Sequence, residues 1–207
     1  RHSEFVDEKS GVSARLTISA YENLISAAER RMYRNNESTT ILRISDLIGV
    51  IPAITGKVEL VYEGEQEGAG LVAYNLIGKA IRSQFVQYFP SPEQKKKEKS
   101  GNPYVIPLAW FGEGNELDLL SDLSDKAYKS GLHSVPGLEE VVTQLVEFLP
   151  ENEREFYMEF ALHGLAEYSQ LSKKLLDTGL QFKDLFSSMF EMGEADDEDF
   201  DEEEDDS

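Results

Sequence analysis

The sequence contains no cysteine, which excludes disulfide bonds, thiolate metal sites and cysteine nucleophiles. It also contains no run that approaches about 18 consecutive apolar residues, so a membrane-spanning helix is not expected. Its histidines, His2, His133 and His163, lie far apart and form no His-Glu-x-x-His motif, so they predict no metal site. Because the lack of cysteine fits a reducing compartment, we expect a cytoplasmic protein.

Basic residues are scarce, with 20 lysines and arginines against 40 acidic residues and a formal net charge of −20. Between Glu191 and Asp206 there are 12 acidic residues and no basic one. Residues 191–207 are therefore predicted to form a disordered acidic tail, because they cannot bury enough apolar surface to fold. A chain of this charge repels nucleic-acid phosphates, so we do not expect nucleic acid as a partner.

The spacing of apolar residues predicts a mostly α-helical protein in two blocks, residues 1–90 and 104–190. A polar linker with several lysines, residues 91–103, separates them. The first block has helical spacing over residues 17–35, with Arg30, Arg31 and Arg34 on or beside the solvated face, and over residues 72–85. The pattern of residues 57–62 is compatible with either a strand or a helix.

The second block is predicted to be helical, within an architecture that is mostly or wholly α. Leu117, Leu120 and Leu123 share helical spacing, and another helix begins near Pro136. A helix that carries Phe156 is compatible with extension to Gly179, and a short last helix is predicted over residues 182–190.

No complete catalytic constellation is present. A Gly56-Lys57 pair invites comparison with a phosphate-binding loop, but Ile51 and Val58 occupy places that require glycine and serine or threonine. The glutamates between residues 59 and 67 could gather a cation such as Mg²⁺, yet a solvated acidic turn is the commoner structure, so no metal site is predicted.

One segment places an arginine at the start of a predicted helix. Ser10, Gly11 and Ser13 form a turn of small residues that delivers Arg15 to the helix over residues 17–35. A positive charge there is unfavourable because it opposes the helix dipole. If Arg15 has only a structural role, we expect its side chain to be solvated or ion-paired. The alternative is functional, because an arginine at a helix N-terminus concentrates positive charge for an anion such as phosphate.

Four stretches carry a resemblance to a known family. Ser10 to Arg15, followed by a helix and by Ile44 to Leu47, resembles the lid of AAA+ ATPases of the magnesium-chelatase and MoxR type. Residues 55–68 and 103–129 look like the region that follows in bacterial members of the same group.

The resemblance implies that Arg15 is the sensor-2 arginine, supported by the loop residues Ser10, Gly11 and Ser13. It implies that the full-length protein is an ATPase that uses ATP and Mg²⁺, forms a homo-hexamer and remodels a client protein. The phosphate-binding loop would lie in an AAA+ core upstream of Arg1, where the sequence begins without methionine. The fragment alone would not be an enzyme, and the family name does not imply chelatase activity. The alternatives are a stand-alone helical interaction module, or the regulatory part of an enhancer-binding-type transcription regulator.

Overall fold

The computed structural model describes residues 3–7, 12–95 and 101–186. The predicted acidic tail, Ser10, Gly11 and residues 187–190 lie outside the described residues. Helices dominate the described part, as the apolar spacing predicted, and a small sheet accompanies them. None of the helices within the described ranges is long and apolar enough to cross a membrane.

The helices differ widely in length. In chain order they are α1 (Leu16–Arg34), α2 (Ile51–Thr55), α3 (Tyr62–Glu67), α4 (Ala69–Phe85), α5 (Pro92–Lys95), α6 (Val105–Gly112), α7 (Asp125–His133), α8 (Leu138–Leu145) and α9 (Arg154–Glu167). Two 3₁₀ segments cover Ile44–Val50 and Glu151–Glu153.

The sheet corrects the helical assignment of parts of the second block. Its strands are β1 (Leu117–Leu120), β2 (Ser172–Leu176) and β3 (Gly179–Lys183), in the antiparallel order β1-β3-β2. Leu117 and Leu119 are buried while Asp118 is exposed, so these residues follow the period of two that a strand requires. The helical spacing assigned to Leu117, Leu120 and Leu123 is thus wrong, because Leu117 and Leu120 belong to β1 and α7 begins only at Asp125.

The helix predicted to reach toward Gly179 ends much earlier, at Glu167. Ser169 takes a positive φ of 52°, and the Gln170 N–H donates to the Leu165 carbonyl, which closes the helix. Strands β2 and β3 follow, joined at Asp177 and Thr178. The last helix predicted over residues 182–190 is wrong at its start, since Phe182 belongs to β3.

One hydrophobic core joins the two predicted blocks. Phe85 of α4 packs against α9, where Gly164 leaves room for its ring. The same core continues to Leu180 and Phe182 of β3, and it also includes Ile44 from the first block. Tyr104 is fully buried, and its hydroxyl donates to the Pro90 carbonyl across the predicted linker.

Candidate functional site

The turn before α1 is held against the chain that follows α2. Val12 forms an antiparallel bridge with Val58, and the Ser13 N–H donates to the Lys57 carbonyl at 3.0 Å. The Ser13 Oγ accepts a hydrogen bond from the Arg15 N–H at 3.3 Å, and the Ser13 carbonyl accepts from Leu16. Of the predicted loop-support residues, Ser13 therefore has a defined local role.

Arg15 occupies the N-cap position of α1 and is exposed. Its guanidinium makes no hydrogen bond or ion pair with any of the described residues. The first turn of α1 also carries no acidic residue, although acids are favoured at this end of a helix. The helix N-terminus and the arginine therefore present positive charge to solvent together, as an anion site would.

The apolar face predicted for α1 is buried only in part. Ala28 is buried, but Ile18 and Tyr21, one and two turns after Arg15, are 62% and 63% exposed. The described elements that pack on α1 leave these two side chains exposed. Arg15 thus lies next to an exposed apolar surface.

Arg31 corrects the prediction that it lies on or beside the solvated face of α1. It is 2% exposed and forms a buried ion pair with Asp46. Its other terminal nitrogen donates to Thr40 Oγ1 at 3.1 Å and to the Ile41 carbonyl at 2.7 Å. The Asp46 carboxylate also accepts the Arg43 N–H at 2.8 Å, so it fixes the start of the 3₁₀ segment.

Glu159 of α9 extends this buried polar network into the second block. Its carboxylate accepts the N–H groups of Ile44 and Ser45 at 2.7 and 2.9 Å, and the Tyr128 hydroxyl at 2.9 Å. Arg43 stacks over the Tyr128 ring at 4.0 Å from its centre. A fully buried carboxylate therefore caps the 3₁₀ segment from a helix more than 100 residues away in sequence.

The surroundings of Glu159 and His163 lower the pKa of each group below its usual value. Burial by itself raises the pKa of Glu159, but His163 and the hydrogen bonds from Tyr128 and Ser45 outweigh it, so the pKa lies below its usual value. Burial lowers the pKa of the His163 imidazole, whose Nε2 lies 3.7 Å from Glu159, beyond hydrogen-bond distance.

A cleft of about 340 Å³ opens between α1, the 3₁₀ segment Ile44–Val50 and the β2–β3 turn. We call it the arginine cleft, because Arg30, Arg31 and Arg34 all contribute to its wall. The opposite side carries Ser121 and Thr178. Within the described ranges, no cluster of three or more ligating side chains is placed to hold a metal ion.

The sequence pattern did not reveal the network or the cleft. Arg31 was predicted to lie on or beside the solvated face of its helix, and Glu159 and Tyr128 carried no motif. A buried role for Arg31 could have been inferred from its position, since it lies three residues after Ala28 on the same side of α1.

No family model, curated protein or solved structure matches this chain.

Proposed function

We propose that this chain is the lid and helical extension of a AAA+ ATPase of the magnesium-chelatase or MoxR type. The observation that carries the proposal is Arg15, an exposed arginine whose guanidinium has no partner among the described residues. A short anchored turn holds it at the N-terminus of α1, the longest of the described helices. Arg15 would contact the terminal phosphate of ATP, whose binding loop and Mg²⁺ would be supplied by an upstream core.

The chemistry required of Arg15 is charge stabilisation. Phosphoryl transfer spreads negative charge over the terminal phosphate oxygens, and a preorganised guanidinium fork matches that geometry. Ser13 limits the freedom of the backbone that delivers Arg15, because it bonds both to Lys57 and to the Arg15 N–H. This restraint acts on the backbone, and a donor that is placed before the reaction is the more effective one in the transition state.

The buried network would transmit a change at Arg15 to the second block. Arg31 lies on the same helix and is fixed to the 3₁₀ segment through Asp46. That segment is in turn capped by Glu159 of α9. A rotation of α1 on nucleotide hydrolysis would therefore move α9 with it, and through α9 a client protein could be remodelled.

The exposed apolar residues beside Arg15 also support the proposal. An upstream ATPase core that places its nucleotide next to Arg15 would necessarily cover Ile18 and Tyr21. Burying two large side chains of this kind would contribute about 1.5–3 kcal/mol each to the contact. The hexameric ring and the client belong to the proposal through the family resemblance.

The test is the steady-state ATPase rate of full-length protein with Arg15→Ala. Loss of a preorganised positive donor costs a few kcal/mol, so we expect roughly a 10²- to 10³-fold slower rate with the helix content unchanged. Arg15→Lys should rescue only in part, because an ammonium lacks the planar fork. Lys126→Ala removes an exposed charge on α7 and serves as the matched control. A wild-type rate for Arg15→Ala would refute the sensor assignment.

A stand-alone protein-interaction module is the second candidate, and Phe148 favours it. This side chain is 97% exposed, although it is large and apolar. The backbone of Phe148 also has a φ of 56°, a left-handed conformation that costs conformational free energy in a residue other than glycine. If Arg15→Ala leaves the ATPase rate unchanged while Phe148→Ser abolishes binding to a co-purifying protein, this candidate replaces the first.

A further inference from the structure

The arginine cleft is lined by positive charge that the rest of the described protein does not neutralise. Arg30 and Arg34 are exposed and lie four residues apart on α1, so their side chains are neighbours on one face. Neither guanidinium group forms an ion pair or a hydrogen bond with any residue that the structure describes. This is unexpected in a chain with 40 acidic and 20 basic residues, and two like charges at this spacing repel each other.

Arg31 contributes a third, buried guanidinium group to the wall of the same cleft. Its two terminal nitrogens are occupied by Asp46, Thr40 and the Ile41 carbonyl, so its charge is balanced within the protein. The cleft wall thus combines two exposed guanidinium groups with one that the fold holds in place.

The facing wall is polar but contributes little opposing charge. It carries the hydroxyl groups of Ser121 and Thr178, which can donate to an anion. Asp46 is occupied by Arg31 and the Arg43 N–H, so Asp177, exposed on the β2–β3 turn, is the remaining carboxylate of the lining. Arg30 and Arg34 therefore outnumber it, and the cleft keeps a net positive charge.

We propose that the arginine cleft binds a small phosphate-bearing anion. Its volume of about 340 Å³ lies at the lower end of the range for small-molecule sites. Guanidinium forks match phosphate oxygens in pairs, and the two exposed arginines can engage one phosphate from the same helix face. The ligand is either free phosphate or a phosphate ester, whose hydroxyl groups could donate to Asp177.

This site is separate from the one assigned to Arg15. From Arg15 to Arg30 the helix advances by 15 residues, or roughly 22 Å along its axis. A single small anion cannot touch both. The cleft proposal therefore stands or falls independently of the ATPase proposal.

The experiment is a titration of the full 207-residue chain with inorganic phosphate and, separately, with ribose 5-phosphate, in a buffer free of other polyvalent anions. Heteronuclear NMR of the arginine Nε–H groups reports which guanidinium groups respond. We expect saturable binding with shifts at Arg30, Arg31 and Arg34, and an affinity that falls as ionic strength rises. Tighter binding of the sugar phosphate would identify an ester as the ligand, and equal binding would identify phosphate itself.

The matched variants are Arg30→Ala, Arg34→Ala and Lys126→Ala. The first two should each weaken binding about tenfold or more, because each removes a charge-assisted hydrogen bond, and alanine is a good helix former at an exposed helix position. Lys126→Ala removes an exposed positive charge from α7, outside the lining of the cleft, and should leave the affinity unchanged. Three results would overturn the proposal: no saturable binding up to roughly 10 mM, equal affinity in the Arg30 and Arg34 variants, or loss of binding in Lys126→Ala.

Discussion

Replacing Gly164 with alanine should destabilise the whole described core, although alanine is the better helix former. Gly164 lies buried in α9 against Phe85 of α4, and an added Cβ would overlap the Phe85 ring carbons. The ring has little room to withdraw. It is fully buried, it stacks on Phe89 with ring centres 5.1 Å apart, and it packs at a tilt against Tyr168 with ring centres 5.6 Å apart.

The expected size of the effect follows from two opposing contributions. Alanine gains up to about 1 kcal/mol over glycine in a helix interior. Overpacking a well-filled core typically costs about 1–3 kcal/mol, and the overlap with Phe85 places this substitution at the upper end. We therefore expect a net loss of about 2 kcal/mol in the free energy of unfolding. For a chain of this length, that corresponds to a fall of roughly 4–8 °C in Tm.

The assay is urea denaturation followed by circular dichroism. Gly70→Ala in α4 is the matched control, because a Cβ at that position meets nothing within 4 Å and should cause no loss of stability. The double variant Gly164→Ala with Phe85→Leu should recover part of the loss, since the smaller side chain leaves space. The argument fails if Gly164→Ala is as stable as the wild type, or if it destabilises only one part of a transition with two separate steps.

Three further predictions concern ATP, the tail and pH. The isolated chain should bind Mg·ATP weakly and not hydrolyse it, because one arginine cannot replace a loop of backbone donors; micromolar affinity by calorimetry would contradict this. Deletion of residues 191–207 should leave Tm nearly unchanged, because 12 of these residues are acidic and repel one another; a drop of many degrees would show that they stabilise the fold. Burial lowers the pKa of His163 in the folded state below the usual value of 6.5. As pH falls through 6.5, the unfolded chain therefore binds more protons than the folded chain, and the free energy of unfolding decreases. His163→Phe should therefore show a smaller loss of unfolding free energy between pH 7.5 and roughly 5.5, and an equal loss would contradict the assignment.

The long helices were predictable because their apolar residues recur with a single period. Spacing over residues 17–35 and 72–85 corresponds to α1 and α4, which differ from those ranges by only a few residues at their ends. The strands were not predictable in the same way. Leu117 and Leu119 are two residues apart, as on one face of a strand, while Leu117 and Leu120 are three apart, as on one face of a helix. Only pairing with β3 selects the strand.

The end of α9 shows a different limit. A glycine is the usual signal for a helix C-terminus, but here Ser169 adopts the left-handed conformation. The chain then turns into β2, so the leucines at positions 175 and 176 belong to a strand. Nothing in the local sequence distinguishes this from a longer helix, because the choice depends on pairing with residues 179–183.

The candidate site was predictable only where it is local. The small-residue turn and Arg15 are contiguous in sequence, so their placement at a helix start could be inferred from composition. The contact between Glu159 and the N–H groups of Ile44 and Ser45 joins residues more than 100 positions apart. No pattern in one sequence indicates such a pairing, because a glutamate in the middle of a helix is usually solvated.

The two proposed anion sites lie toward opposite ends of α1, and the buried Arg31 lies next to the second of them. An anion in the arginine cleft would hold α1 against the β2–β3 turn, whereas a nucleotide at Arg15 would pull the start of α1 toward an upstream core. The two ligands would influence each other only if each binds one orientation of α1 more tightly than another, since coupling requires a difference in affinity between states. The Arg31–Asp46 pair makes such coupling physically reasonable, because it fixes α1 to the 3₁₀ segment and prevents the helix from moving without its neighbours. Phosphate affinity measured with and without nucleotide in the full-length protein would then differ by the same factor as nucleotide affinity measured with and without phosphate.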